Sequence, residues 1–258
     1  NIDIFSLPVF PPERAHVKDI SVHRGVTASA NGAGNHAGLG DREPTPIAAA
    51  AVFNLAFLHA NVRAFKNKSA EVTRLIERSN FPTDIVITET WLDKSFESLE
   101  LSGYVEVSRR DRGSSAHGGV MVFAKCGFES TIVHIGNSNV AERSWHVVHS
   151  ARGPLLFGAW YRPPKHGEVA TIDSLDEELA EFGKNVLGTI LVGDFNVHEA
   201  SWLRHSDGTS PEGRALRDVA CSHGWEERVQ KPTRGPYLLD LVLTDLGSDV
   251  KTRPVAGV

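Results

Sequence analysis

The chain has 258 residues, 41% hydrophobic and 23% charged, with 5 Trp, 12 Phe and 3 Tyr, which excludes disordered and fibrous classes and allows a sizeable buried core. Lys and Arg total 27 against 32 Asp and Glu, a formal charge of -5; bulk coating of nucleic acid is therefore not expected, although bound cations could still meet a phosphate at a local site. The two cysteines, Cys126 and Cys221, are far apart and form no CxxC, which excludes a disulfide scaffold or zinc ribbon and fits a reducing compartment.

Residues 1–50 are rich in Gly, Ala, Pro, Asn and His, as in TASANGAGNHAGLGDREPTP, and show no sustained periodicity. They are expected to be a flexible, poorly ordered leader or linker. The first residue is Asn1 rather than Met, so the chain is expected to be a piece of a longer protein. The longest apolar stretch, Ile47 to Ala60, is broken by Asn54 and His59 and is too short to span a bilayer, so no membrane partner is expected. The folded domain is expected over residues 51–258.

Within it, short apolar runs predict strands at 52–59, 84–88, 118–124, 131–134, 145–149, 155–160, 189–192 and 238–244. Three amphipathic patterns predict helices. Residues 68–79 place Val72, Leu75 and Ile76 on one face and stop before Phe81-Pro82. Residues 174–186 carry Leu175, Leu179, Phe182 and Val186 at three- and four-residue spacing. Residues 211–223 turn Leu216, Val219 and Ala220 inward, with Gly224 as cap. Many strands with few helices between them predict an α+β or layered α/β fold rather than a continuous βαβ series.

Several of these strands end in polar residues. TILVGDFN, residues 189–196, closes an apolar strand with Gly193 and then presents Asp194 and Asn196. Residues two apart on a strand share a face, so a carboxylate able to take a proton emerges beside an amide able to donate one. An Asx turn closing the strand is the simpler alternative. DIVITETW, residues 84–91, delivers Glu89 in the same way, either as a hard-cation ligand for Mg²⁺ or as a rim carboxylate paired with a surface Arg. LHANVR, residues 58–63, delivers Asn61, which alone would read as turn chemistry. In WYRPP, residues 160–164, two prolines fix where Tyr161 and Arg162 point; both could donate to a phosphate, or Tyr161 could simply pack. LLDLVLT, residues 238–244, sets Asp240 inside an apolar strand, where an unpaired charge is costly. A histidine partner is one solution, and tying down a loop is another. Just upstream, Thr233 and Arg234 offer a hydroxyl and a cation. His198, Glu199, His205 and Asp207 match no zinc spacing and read as solvated loop, with His198 near substrate; Arg109, Arg110 and Arg112 also read as solvated loop.

In order, NVRAFKNK, DIVITETWL, HGGVMVFAK, WYRPP, LVGDFNVHEASW, KPTR and LLDLVLTD resemble the endonuclease/exonuclease/phosphatase superfamily, over residues 54–258. The resemblance is narrower to the apurinic-endonuclease-like domain of non-LTR retrotransposons. It implies a two-sheet α/β sandwich of the DNase I kind. It also implies Mg²⁺, or Mn²⁺ in its place, held on Glu89 with Asn61 beside it. Asp194 then falls on the water-activating aspartate, Asn196 and Tyr161 on the phosphate side, and Asp240 on the aspartate that orients a catalytic histidine. Arg162, Thr233, Arg234 and His198 would face substrate. The family's Ser-Asp-His follows the last strand shortly after; this chain stops before it, which implies a domain lacking that strand and histidine. The implied partners are double-stranded DNA and, through a downstream reverse transcriptase, the element RNA, with a nuclear location. Another phosphoesterase of the same superfamily, or a degenerate DNA-binding remnant, are the alternatives.

Overall fold

A computed structural model describes residues 2–6, 55–96, 99–113 and 117–255, with the backbone alone described at 2–6 and 254. In chain order the elements are β1 (Ile2–Ser6), β2 (Ala56–Asn61), α1 (Phe65–Arg78), β3 (Asp84–Thr88), β4 (Tyr104–Arg110), β5 (Val120–Lys125), β6 (Ile132–Asn137), β7 (Glu142–Ser150), β8 (Gly153–Tyr161), α2 (Ala170–Phe182), β9 (Thr189–Asp194), α3 (Pro211–Ser222), β10 (Glu226–Glu227), β11 (Asp240–Thr244) and β12 (Lys251–Val255). They form two six-stranded sheets of order β12-β1-β2-β3-β5-β4 and β10-β11-β9-β8-β7-β6. Each sheet is centred on a parallel pair joined through a helix: β2-α1-β3 in the first and β8-α2-β9 in the second. Antiparallel strands flank both pairs. The result is the two-sheet α/β sandwich expected from the sequence.

Strand alternation sorts every side chain to one of two environments. Phe57, His59 and Asn61 of β2 face the second sheet, where Phe57 stacks on Phe157 at 4.6 Å between ring centroids. Leu58 and Ala60 face outward and bury against Val72, Leu75 and Ile76 of α1. On the far side, α2 is anchored by charge: Arg143, fully buried, donates to Glu178 at 2.8 Å and lies over the Trp160 ring at 4.4 Å. Such a pair is costly to break because the surviving charge would be buried alone. α3 starts from Ser210, whose hydroxyl accepts the Gly213 N–H at 3.0 Å, with Pro211 in the first turn.

The segment expected to be a leader contributes β1, which pairs between β2 and β12; residues 7–50 of that segment, and 51–54 at the start of the expected domain, lie outside the described residues. β4, β10 and β12 also go beyond the expected strands. All three are edge strands, and β4, with its mixed burial, lacks the apolar run that marks a central strand. α2 begins four residues before the expected helix and stops at Phe182, where Gly183 caps it. Among the described residues no helix is long and apolar enough to cross a membrane.

Candidate active site

The C-terminal ends of β2, β3, β8 and β9 and the start of β11 lie at one end of the sandwich. Asn61, Tyr161, Asp194 and Asp240 all sit at positions facing the opposite sheet, so alternation drives them into one cleft. Asp194 is the hub. Its Oδ2 accepts from Asn61 Nδ2 and from Arg234 Nη2, each at 2.6 Å. The Asn61–Asp194 bond joins one sheet to the other, and Asn61 Nδ2 also donates to Glu89 Oε1 at 2.8 Å, beside it on the first sheet. Arg234 Nη1 donates to Asn196 Oδ1 at 3.0 Å, so one guanidinium forks across both residues of the GDFN turn. Asn196 Nδ2 in turn donates to the Arg162 carbonyl at 2.8 Å.

Backbone geometry supports this placement. A Cβ on Gly193 would run into the Trp160 carbonyl, so only glycine lets β9 lie this close to β8 before the turn. Arg63, Ala64, Glu89, Trp91 and Asn196 all have positive φ without being glycine, and all lie at or beside the cleft. Strain of this kind costs roughly 1–3 kcal/mol per residue and persists where surrounding contacts over-determine it.

Asp194 and Asp240 are opposite each other in the β9–β11 register, and both are buried. Burial raises the Asp194 pKa and the neighbouring Asp240 charge raises it further, while Arg234 and Asn61 oppose the rise. Asp240 is also raised by burial, against the pull of Thr233 and Arg234. Oδ1 of each carboxyl is buried with no hydrogen-bond partner among the described residues. Tyr161 is pushed up to about 12, first by burial and then by Glu89 and Asp194, so its phenol stays protonated; the hydroxyl donates to no described residue. Arg112 lies over its ring at 5.7 Å, tethered at 2.5 Å to Glu142, which also accepts from the Gly119 N–H.

Asn61, Glu89, Tyr161, Asp194, Asn196, Asp240 and Arg234 thus come together. The other three expected site residues are held by different partners. Arg162 is buried and bonds the carbonyls of Asn196 and Lys165, 3.5 Å from Glu212; it braces the turn behind Asn196. Thr233 is buried too, its hydroxyl accepting the Leu239 and Asp240 N–H groups at 3.1 and 3.0 Å, so it shapes the entry to β11. His198 is half-buried among Ser206, Asp207 and Tyr237. The loop readings are corrected in part. Glu199 is buried and held by Ser201, Thr209 and Arg217, and Arg109, Arg110 and Arg112 are all engaged in hydrogen bonds. Among the described residues, Thr233 and then Arg234 are the groups that draw the Asp240 carboxyl down. Trp91, whose indole N–H donates to Glu89 Oε2 at 3.3 Å, carries no signal beyond its spacing of two from Glu89.

No three His, Cys, Asp or Glu side chains among the described residues form a ready-made metal cage. A Mg²⁺ site does not require one, because this ion keeps several waters and takes one or two carboxylates plus phosphate oxygens. Glu89, 8% exposed at the mouth and held by the amide N–H of Asn61 on its Oε1, offers a carboxylate that fits such an ion.

The sequence pattern of the Endonuclease/Exonuclease/phosphatase family matches residues 51–249. A probable RNA-directed DNA polymerase from transposon X-element of Drosophila melanogaster is 26% identical over 183 residues, 69% of this chain, and the match spans 19% of that protein's length. Among solved structures, the endonuclease domain of TRAS1, a telomere-specific non-LTR retrotransposon, aligns with a TM-score of 0.55 at 15% identity, covering 72% of this chain and 82% of that one. The human Nocturnin catalytic domain aligns with a TM-score of 0.50 at 12% identity, covering 72% and 80%. These two likenesses extend to the fold, and the matched sequence pattern identifies the lineage: the chain belongs to the Endonuclease/Exonuclease/phosphatase family.

Proposed function

We propose that this domain is a divalent-cation-dependent endonuclease that hydrolyses a phosphodiester of double-stranded DNA. The nick would leave a 3′-hydroxyl to prime reverse transcription of an element RNA by a polymerase domain elsewhere in the parent protein, acting in the nucleus. The observation that carries the reading is the convergence of Asn61, Glu89, Asp194 and Asn196 from both sheets, with Asp194 Oδ1 left free of any described donor. The likeness to a transposon polymerase and to a retrotransposon endonuclease domain supports the DNA substrate and the priming role.

A Mg²⁺ ion, or Mn²⁺ in its place, held on Glu89 beside Asn61 would supply neutralising charge at the phosphate. Asp194 takes the proton of the attacking water at Oδ1; its raised pKa brings it toward neutral pH, where a general base works best. Tyr161 donates to a phosphate oxygen through a hydroxyl that makes no other described bond. Asn196 uses one amide hydrogen on the Arg162 carbonyl and keeps the second for the phosphate. Arg234 is drawn from Asp194 towards the incoming phosphate, a move that favours binding and frees the base together.

The test is nicking of supercoiled plasmid in Mg²⁺ by the complete domain of the parent protein and by its Asp194→Ala variant, alongside abasic DNA and inositol phosphates as substrates. The expected result is nicking by the complete domain and loss in the variant. Nicking that survives the substitution removes the proposed base; turnover of inositol phosphates in preference to plasmid overturns the DNA reading.

A further inference from the structure

Three residues, Glu89-Thr90-Trp91, leave the end of β3 in a conformation that few sequences adopt: φ is 53° at Glu89 and 55° at Trp91. They are fastened on both sides. The Ala64 and Phe65 N–H groups donate to the Glu89 and Thr90 carbonyls, both at 3.0 Å, and the Trp91 N–H donates to the Gly118 carbonyl at 2.9 Å. Gly119 is glycine because a Cβ there would strike the Thr90 hydroxyl, at a φ of 91°. This bracing fixes where two side chains point. The indole N–H of Trp91 donates back to Glu89 Oε2 at 3.3 Å, while Asn61 Nδ2 donates to Oε1 at 2.8 Å. The Trp91 ring is held from the other side by His117, with ring centroids 4.7 Å apart.

We infer that Trp91 is a positioning residue whose indole N–H orients Glu89 for a divalent cation. The inference rests on the reading of Glu89 as the metal-holding carboxylate. An ionised carboxylate has about four acceptor sites. One donor on each oxygen therefore fixes the plane of the group and leaves a lone pair on each free for a hard cation. Trp91 is suited to this because its donor is rigid, unlike that of a flexible amide or ammonium. Among the described residues Arg63 also pairs with Glu89, at 3.8 Å from Oε2 and 59% exposed, a loose contact that would not hold the carboxylate in one plane. A ring retained only for packing against His117 would be served equally by Phe, so the N–H is what separates the two roles.

The experiment is Mg²⁺ binding to the full chain by calorimetry, with Tb³⁺ luminescence excited through tryptophan as a second readout. Trp91→Phe, which keeps the ring and loses the donor, should weaken Mg²⁺ about three- to ten-fold, the loss of one hydrogen bond to a charged ligand. Its thermal midpoint should stay near that of the parent. Tb³⁺ emission should fall as well, because the tryptophan bonded to Glu89 is gone. Trp91→His, which restores a ring N–H, should recover part of the Mg²⁺ affinity. Glu89→Gln separates the two readings. If it abolishes binding and Trp91→Phe binds as the parent does, the role of Trp91 is overturned while the metal site stands. If Glu89→Gln binds Mg²⁺ as the parent does, the metal site is wrong and the role of Trp91 falls with it. A Trp91→His chain no better than Trp91→Phe also overturns the inference.

Discussion

The two ends of the sandwich each bury a carboxyl, and the contrast between them separates a site from a structural oddity. Asp84 begins β3 at the end opposite the cleft. It is fully buried, accepts one hydrogen bond from the Thr83 hydroxyl at 2.8 Å, leaves Oδ1 without a described partner, and is raised to about 7 by burial. Asp194 ends β9 at the cleft, equally buried, also raised chiefly by burial, and also with an unpartnered Oδ1. By burial and pKa alone the two are hard to tell apart. What differs is company. Around Asp194 stand Asn61, Glu89, Asn196, Arg234 and Asp240 from both sheets, whereas Asp84 has Thr83 and, more distantly, Tyr104. A perturbed carboxyl points to chemistry when other polar groups converge on it, not by its perturbation alone.

The sharpest way to break this comparison is to neutralise each carboxyl in turn. Asp194→Asn should lower plasmid nicking by roughly 10²–10⁴-fold, the range for removing a general base, whereas Asp84→Asn should leave nicking unchanged in the same assay. Comparable losses in both would mean that the activity tracks fold integrity rather than the cleft. Arg234→Ala is expected to act more mildly, weakening plasmid binding about ten-fold as measured by KM, since one charge-assisted contact is lost; an unchanged KM would assign Arg234 to holding Asp194 alone.

The smallest effect is on stability. The folded Asp84 pKa of about 7 lies above its unfolded value of 3.8, so the native state binds the proton more tightly. Its contribution is complete below about pH 4, falls as the pH rises through 7, and amounts to about 4 kcal/mol at most. Thermal midpoints measured from pH 4 to 8 should decline in the parent chain and decline less in Asp84→Asn, which carries no titrating proton. Parallel curves would mean that water reaches Asp84 in solution.

Much of this was legible in the sequence because it is written in strand periodicity. The central strands β3, β5 and β9 are continuous apolar runs, and the polar residues that close β2, β3 and β9 mark the cleft before any coordinates. Of the edge strands, β6 was legible but β4, β10 and β12 were not; β4 reads YVEVSRR and alternates too weakly to signal itself. At the site, ordering along the chain gave Asn61, Glu89, Tyr161, Asp194 and Asn196, since each stands at a strand end. It could not separate Arg162, which turns inward to Glu212, from Arg234, which turns toward Asp194: both are arginines beside a proline-bearing loop, and only the packing decides which way each guanidinium swings. Arg112 and Trp91 escaped for the same reason, since their partners Glu142 and Glu89 are set by how two loops meet.

Because Asn61, Tyr161, Asp194 and Asp240 all occupy the same phase of their strands, the chemistry of this domain is hostage to length. Inserting or deleting one residue inside β9 would flip Asp194 to the helix-covered face and bring Gly193 or Phe195 into its place, even if the hydrogen-bonded ladder re-formed perfectly. Changes of length in the connecting loops carry no such penalty. Drift within this lineage should therefore show freely varying connections around strands whose residue counts barely change.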